Sequence, residues 1–206
     1  TAKVLEVARS CANLKAIVNI TTDKCYENDE RSEGYKESDP MGGHDPYSSS
    51  KGCAELVSSA YRRSFLQEQG VELASVRAGN VIGGGDWADD RLIPDILRSF
   101  EKDKPVVIRN PKATRPWQHA LEPLSGYLIL AQKLYENQED YAEGWNFGPN
   151  EKDVKPVGWI LDKMITKWPN SSWELDQNSN PHEAGFLKLD ISKAESKLGW
   201  KPVWEL

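Results

Sequence analysis

An alternation near the start of the chain constrains the fold more than any other feature. Residues 3–12 set Val4, Leu5, Val7, Ala8, Cys11 and Ala12 at helical spacing. Ala16-Ile17-Val18-Asn19-Ile20 then reads as a strand rich in β-branched residues. A second helix is expected from Asp45-Pro46, because Asp is a good N-cap and Pro suits the first helical position. It runs through Ala54, Leu56, Val57, Ala60 and Phe65 to a stop at Gly70. A second strand follows, Glu72 to Arg77. Helix, strand, loop, helix, strand in this order implies a parallel sheet with crossover helices, the α/β class. The polar loop from Tyr26 to Asp45 carries Gly34, Pro40, Gly42 and Gly43. At about 20 residues it exceeds a plain connection and is expected to be functional or a lid.

After Gly79 the texture changes, and all eight Trp lie at or beyond Trp87. Gly83-Gly84-Gly85-Asp86-Trp87 reads as a loop, Leu92 to Phe100 as a helix and Pro105 to Ile108 as a short strand. Glu122 to Tyr135 is expected to be a helix with Leu124, Leu128, Ala131 and Leu134 on one face. Trp145 to Phe147 is a short strand. Val157 to Trp168 is a helix with Ile160, Leu161, Met164 and Ile165 on one side, and Asp190 caps a last helix ending at Gly199.

Composition removes several function classes. A net charge of −6 argues against nucleic acid or an anionic membrane surface as the partner. No apolar run approaches the roughly 20 residues a membrane helix needs. Three cysteines without a CxxC pair fit reduced thiols in the cytoplasm. Neither they nor the three His show metal-ligand spacing, so no metal is expected. The chain opens Thr-Ala-Lys inside an apparent helix, which reads as a fragment.

Two short motifs carry chemistry. Tyr47-Ser-Ser-Ser-Lys51 puts a phenol and an ammonium on one helical face, where the cation favours phenolate and makes Tyr a usable base. The spacing alone is common by chance, and a solvated Tyr–Lys pair gives the same pattern. Thr21-Thr22-Asp23-Lys24 follows the first strand directly, and ligands of open α/β sheets bind at the carboxyl ends of strands. A hydroxyl, a carboxylate and an amine there can serve as hydrogen-bond donor, acid and base; a plain turn is the competing reading. Gly83-Gly84-Gly85 is not a dinucleotide loop, since that fingerprint needs GxGxxG between a strand and a helix. A turn allowing close backbone approach suits it better. Five of the nine Arg (Arg77, Arg91, Arg98, Arg109, Arg115) cluster in one stretch, and Arg suits bidentate phosphate contact. Arg98, on its helix, reads better as a surface salt bridge. Trp87 and Trp117 are candidates to line a cleft.

The joint arrangement of strand, Thr-Asp-Lys, long loop and Tyr-x-x-x-Lys resembles the extended short-chain dehydrogenase/reductase superfamily. The tail Leu187-Lys188-Leu189-Asp190 to Leu198-Gly199-Trp200-Lys201-Pro202 resembles its nucleotide-sugar branch. Thr22-Asp23-Lys24-Cys25-Tyr26, Met41 to Tyr47, Arg77 to Trp87, Asp90 to Asp95, Arg115 to His119 and Gly144 to Gly148 resemble the CDP-glucose 4,6-dehydratases in particular. Thr22-Asp23-Lys24 in place of the Thr-Asp-Glu of dTDP-glucose enzymes supports CDP over dTDP.

The resemblance implies a Rossmann-like doubly wound parallel sheet, incomplete here, with a smaller α/β substrate lobe. Residues 1–80, with 118–148 returning to them, would belong to the NAD-binding domain and 81–206 mainly to the nucleotide-sugar lobe. It implies NAD as cofactor, touched by Thr22, Tyr47 and Lys51, and CDP-glucose as small-molecule substrate, in deoxysugar or O-antigen synthesis. Thr22, Asp23, Lys24, Tyr47 and Lys51 would be catalytic. Tyr47, helped by Thr22, would act at the sugar 4-hydroxyl and Asp23 on the leaving 6-hydroxyl. Lys24 would be the base or, as a cation, stabilise an enolate. Asn80, Arg91 and Arg115 would hold the diphosphate. His182 would touch substrate, with a solvated loop His as the alternative. A cytoplasmic homo-oligomer, dimer or tetramer, is expected. The Gly-rich NAD loop has no match in the chain, so roughly a hundred residues of βαβ units would precede Thr1. A sister dehydratase or epimerase on another nucleotide sugar, and a non-catalytic NAD-binding regulator, are the competing readings.

Overall fold

A computed structural model describes residues 1–136, 139–178 and 185–206. In chain order the elements are α1 (Ala2–Ala8), β1 (Ala16–Ile20), α2 (Pro46–Tyr61), β2 (Glu72–Ala78), β3 (Asn80–Ile82), α3 (Leu92–Phe100), β4 (Val106–Ile108), β5 (Thr114–His119), α4 (Leu121–Tyr135), β6 (Gly144–Phe147), β7 (Val154–Pro156), α5 (Val157–Ile165) and β8 (Trp173–Leu175). β1, β2 and β6 form a parallel sheet, with Ala16 opposite Glu72 and Ser75 opposite Gly144. β3, β5 and β7 form a second, mixed sheet, and β4 pairs with β8.

The period-2 alternation of the first sheet sorts its two faces. Ala74 and Val76 pack with Tyr127, Leu130 and Leu134 of α4, and with Trp145, Phe147 and Trp200. Leu73 packs on the other face with Leu5 of α1 and with Leu66, beside Val57 and Tyr61. Fully burying each large side chain stabilises by about 1.5–3 kcal/mol. A third cluster (Ile96, Phe100, Val106, Ile108, Leu161) seats α3 and α5 on β4. No described helix is long and apolar enough to cross a membrane, and Cys11, Cys25 and Cys53 are free.

Several expectations change. The first helix stops at Ala8 rather than residue 12, with Arg9 as its cap. α2 begins where the Asp45-Pro46 signal puts it, but its buried face is polar: Ser48, Gly52, Glu55 and Ser58 point in, while Leu56 is 62% exposed. The expected face of α4 holds only in part: Leu134 is buried, but Leu124 and Leu128 point outward and Gly126 and Tyr127 inward. A Cβ at Gly126 would lie 2.2 Å from the Phe147 ring, so the missing side chain lets helix and sheet meet. The loop of residues 26–45 is not a free lid. Tyr26 bridges to Met41 and Tyr35 to Leu189, and both tyrosines are buried with Cys25, Leu187 and Leu189. β3, β5, β7 and β8 are additional to the sequence reading.

Candidate active site

β1 delivers the chain to the carboxyl edge of the first sheet. Thr22, in extended conformation, opens a tight turn at Asp23–Cys25, and its Oγ accepts from the Lys24 amide at 3.4 Å. The same hydroxyl donates to Asp23 Oδ1 at 3.0 Å. Asp23 is 3% exposed, and its Oδ2 has no hydrogen-bond partner among the described residues. Burial pushes this carboxyl up to about 6, against the opposing pull of the Thr22 hydroxyl and of the Lys24 and Arg115 charges. A carboxyl of that kind keeps part of its proton close to neutral pH.

The second half of the site comes from the first turns of α2. Asp45 Oδ1 accepts from the amides of Tyr47 at 2.9 Å and Ser48 at 3.0 Å, which fixes the helix start. The Ser48 hydroxyl and amide, with the nearby Lys24 charge, hold the Asp45 carboxyl below its ordinary value. The Tyr47 side chain is 51% exposed, and the Lys51 ammonium stands 5.7 Å from its ring centroid. Lys51 makes no ion pair among the described residues.

A cavity of about 740 Å³ lies between the first sheet and the elements after Gly79. Thr22, Asp23, Lys24 and Tyr47 line it, and so do Asn80, Arg91 and Arg115. Lys51 does not line it, and His182 lies outside the described residues. The chain passes from β2 to β3 at Gly79, where a Cβ would sit 2.3 Å from Pro116 Cγ of β5. Glycine thus lets the two sheets converge beside Asp23. Arg115, on β5, is only 5% exposed and donates through Nη1 to its own neighbour, the Thr114 carbonyl, at 2.9 Å.

The Arg cluster divides on inspection. Arg77 is 2% exposed and locked to Glu55, with Nη2 on Oε2 at 2.8 Å and Nε on Oε1 at 3.0 Å, so no phosphate reaches it. Arg98 binds Asp95 at 2.7 Å and the Trp87 carbonyl, the salt-bridging role its helix suggests. Arg109, of that cluster, also lines the cavity, and so do Asn110 and Tyr127, which the sequence reading does not name as site residues. Tyr127 escapes the sequence reading because the wrong face of α4 looks apolar. Trp87 and Trp117 both line the cavity; Trp87 is 59% exposed, but Trp117 is 2% exposed and bonded to the Lys155 carbonyl at 2.8 Å.

Residues 1–144 match the model of the NAD dependent epimerase/dehydratase family. The chain belongs to that family. A CDP-glucose 4,6-dehydratase of Salmonella typhimurium is 60% identical to it over 100% of this chain and 59% of that protein. A dTDP-glucose 4,6-dehydratase of Haemophilus influenzae is 25% identical over 89% of this chain and 55% of its own length. Among solved structures, UDP-glucuronic acid 4-epimerase from Bacillus cereus, in complex with UDP-glucuronic acid and NAD, aligns with a TM-score of 0.83 at 20% identity, covering 98% of this chain and 61% of the epimerase. A dTDP-glucose 4,6-dehydratase from Bacillus anthracis in complex with NAD gives 0.80 at 20% identity, with the same coverages, 98% and 61%. These likenesses show a Rossmann-like α/β fold, of which the chain spans about three-fifths of the relatives' length.

One end of the family's cofactor would need hydrogen-bonding groups at the sheet edge. Thr22 and Tyr47 bring a hydroxyl and a phenol into the cavity at the carboxyl edge of a parallel sheet, where ligands of open α/β sheets bind, and the Lys51 ammonium stands behind the Tyr47 ring. The chain holds no GxGxxG loop to cradle the pyrophosphate.

Proposed function

We propose that the protein is a CDP-glucose 4,6-dehydratase, a hydro-lyase that makes CDP-4-keto-6-deoxyglucose for deoxysugar synthesis. The observation that carries this reading is Asp23, a buried carboxyl with one unpartnered oxygen, in the same cavity as Tyr47. Inverting C4 needs a base at the 4-hydroxyl but no acid at C6; eliminating water needs both. The 60% identity to a CDP-glucose enzyme supports the nucleotide assignment.

Tyr47 takes the proton of the sugar 4-hydroxyl, with the Lys51 ammonium favouring its phenolate and the Thr22 hydroxyl bonding the same oxygen. Bound NAD⁺ supplies hydride acceptance at C4 and hydride return at C6. The resulting 4-ketone acidifies the C5 proton. Lys24, beside Asp45, takes that proton as the base and gives a proton back at C5 when the hydride returns to C6. Asp23 gives its proton to the departing 6-hydroxyl, which leaves as water. Asn80, Arg91 and Arg115, with Arg109 beside them, hold the diphosphate, and His182 contacts substrate. Residues 1–80 and 118–148 form the cofactor side and 81–206 mainly the sugar-nucleotide lobe. The protein is a cytoplasmic dimer or tetramer, which light scattering after gel filtration tests.

A panel of CDP-, dTDP-, GDP- and UDP-glucose tests the activity. CDP-glucose is expected to give the 4-keto-6-deoxy product fastest. Preference for another nucleotide would move the protein to a sister dehydratase. NAD binding without turnover of any of them would favour the non-catalytic reading.

A further inference from the structure

The proposed acid–base set comes from two elements that residues 21–45 separate in the chain. Thr22 and Asp23 leave the end of β1, and Tyr47 and Lys51 ride on α2. Something must hold these elements in register, because a misplacement of about 1 Å costs on the order of 100-fold in rate. Tyr47, Lys51 and Glu55 recur every four residues, so they share one face of α2. Glu55 is 3% exposed and does not line the cavity. Its carboxylate accepts from the Thr21 hydroxyl, directly before Thr22, and from the Ser75 hydroxyl of β2. Arg77, also on β2, donates to both of its oxygens.

Arg77 is itself braced. Its Nη1 donates to the Tyr26 hydroxyl at 2.6 Å, and that hydroxyl donates to Asn146 Oδ1 of β6 at 2.7 Å. Gly144 leaves room for the guanidinium, since a Cβ there would lie 2.4 Å from Nη2. We infer that Glu55 is a positioning residue, which pins the helix carrying Tyr47 and Lys51 to the strand end carrying Thr22 and Asp23. The inference rests on the roles proposed above for Tyr47 and Thr22. A buried ion pair is poor evidence of added stability, but its bonds are directional, which is what registering two elements requires.

The test uses the full-length protein with NAD⁺ and CDP-glucose, in two variants. Glu55→Asp keeps the charge but withdraws the carboxylate by one methylene. Thr21→Val removes a single hydroxyl and keeps the shape, so it carries the test if Glu55→Asp does not fold. Each is prepared with 3-fluorotyrosine at position 47 alone, and its folding is checked by thermal melting. The expected result is a kcat lower by on the order of 100-fold for Glu55→Asp and 10-fold for Thr21→Val, with KM within about threefold of wild type. The ¹⁹F line of position 47 is expected to shift or broaden in both. Folded variants with a lower melting temperature, an unchanged kcat and an unchanged ¹⁹F line would make Glu55 a stability pin only and overturn the inference. If the wild-type protein turns over no nucleotide sugar, the activity reading fails, and the ¹⁹F line alone decides the pin.

Discussion

α2 and α3 both border the cavity, yet they are seated by different forces. α2 meets the sheet through Glu55, locked to Arg77, and Ser58, whose Oγ accepts from the Asn19 side-chain amide at 2.8 Å, while Gly52 packs on the Gly42 and Cys25 carbonyls. α3 lies on an apolar bed of Ile96, Phe100, Val106, Ile108 and Leu161. Hydrogen bonds and forked ion pairs fix direction, so the first seat suits side chains that must meet a reacting oxygen. Apolar contact is non-directional, so the second suits long Arg side chains that, in the proposed function, only need to reach a diphosphate. The two sides of the cavity should therefore fail differently when altered.

The largest effect is expected on the polar side. Tyr47→Phe should lower turnover by on the order of 1000-fold while sparing nucleotide binding, read by steady-state kinetics and calorimetry. An unchanged rate would remove Tyr47 from the mechanism. On the apolar side, Phe100→Ala should cost about 3–5 kcal/mol in urea unfolding, since Phe100 is 2% exposed and central to its cluster.

Asp23→Asn gives a pH-dependent result. The folded value of Asp23 is about 6, above its ordinary 3.8, so the protonated form favours the fold. Its stability contribution is full below about pH 4 and is lost as pH rises through 6. Asparagine should then stabilise the protein by about 3 kcal/mol at pH 8 and by almost nothing at pH 4, measured by urea titration at each pH. A constant difference between the two would mean that Asp23 is not the buried acid described. The smallest effect is expected at Arg91, which caps α3 without a side-chain bond of its own there. Arg91→Ala should raise KM about tenfold and leave kcat nearly unchanged.

The same contrast explains what the sequence disclosed. α3 was legible because its buried stripe is apolar, and a period of 3.6 reports such a stripe directly. On α2 the apolar residues do not mark the seat: Val57 packs beside Leu66 and Leu73, but Leu56 faces out and Glu55 and Ser58 face the sheet. Polar partners from distant strands make that arrangement favourable, and no local pattern announces them. Arg77 looked like a phosphate ligand for the same reason, since its partner lies 22 positions away. β5 escaped because Arg115-Pro116-Trp117 does not look like a strand until Gly79 brings β3 beside it. That Thr22, Asp23 and Tyr47 line the cavity was legible because each sits at an element boundary, a strand end or a helix start, where chain direction alone sets the side chain near the sheet edge.

The most direct test of the account is one turnover experiment in deuterated water. The full-length protein, given NAD⁺ and CDP-glucose, should release a 4-keto-6-deoxy sugar nucleotide carrying deuterium at C5, with no net NADH. A product that retains its 6-hydroxyl, as an epimerase or a simple oxidation would give, contradicts it.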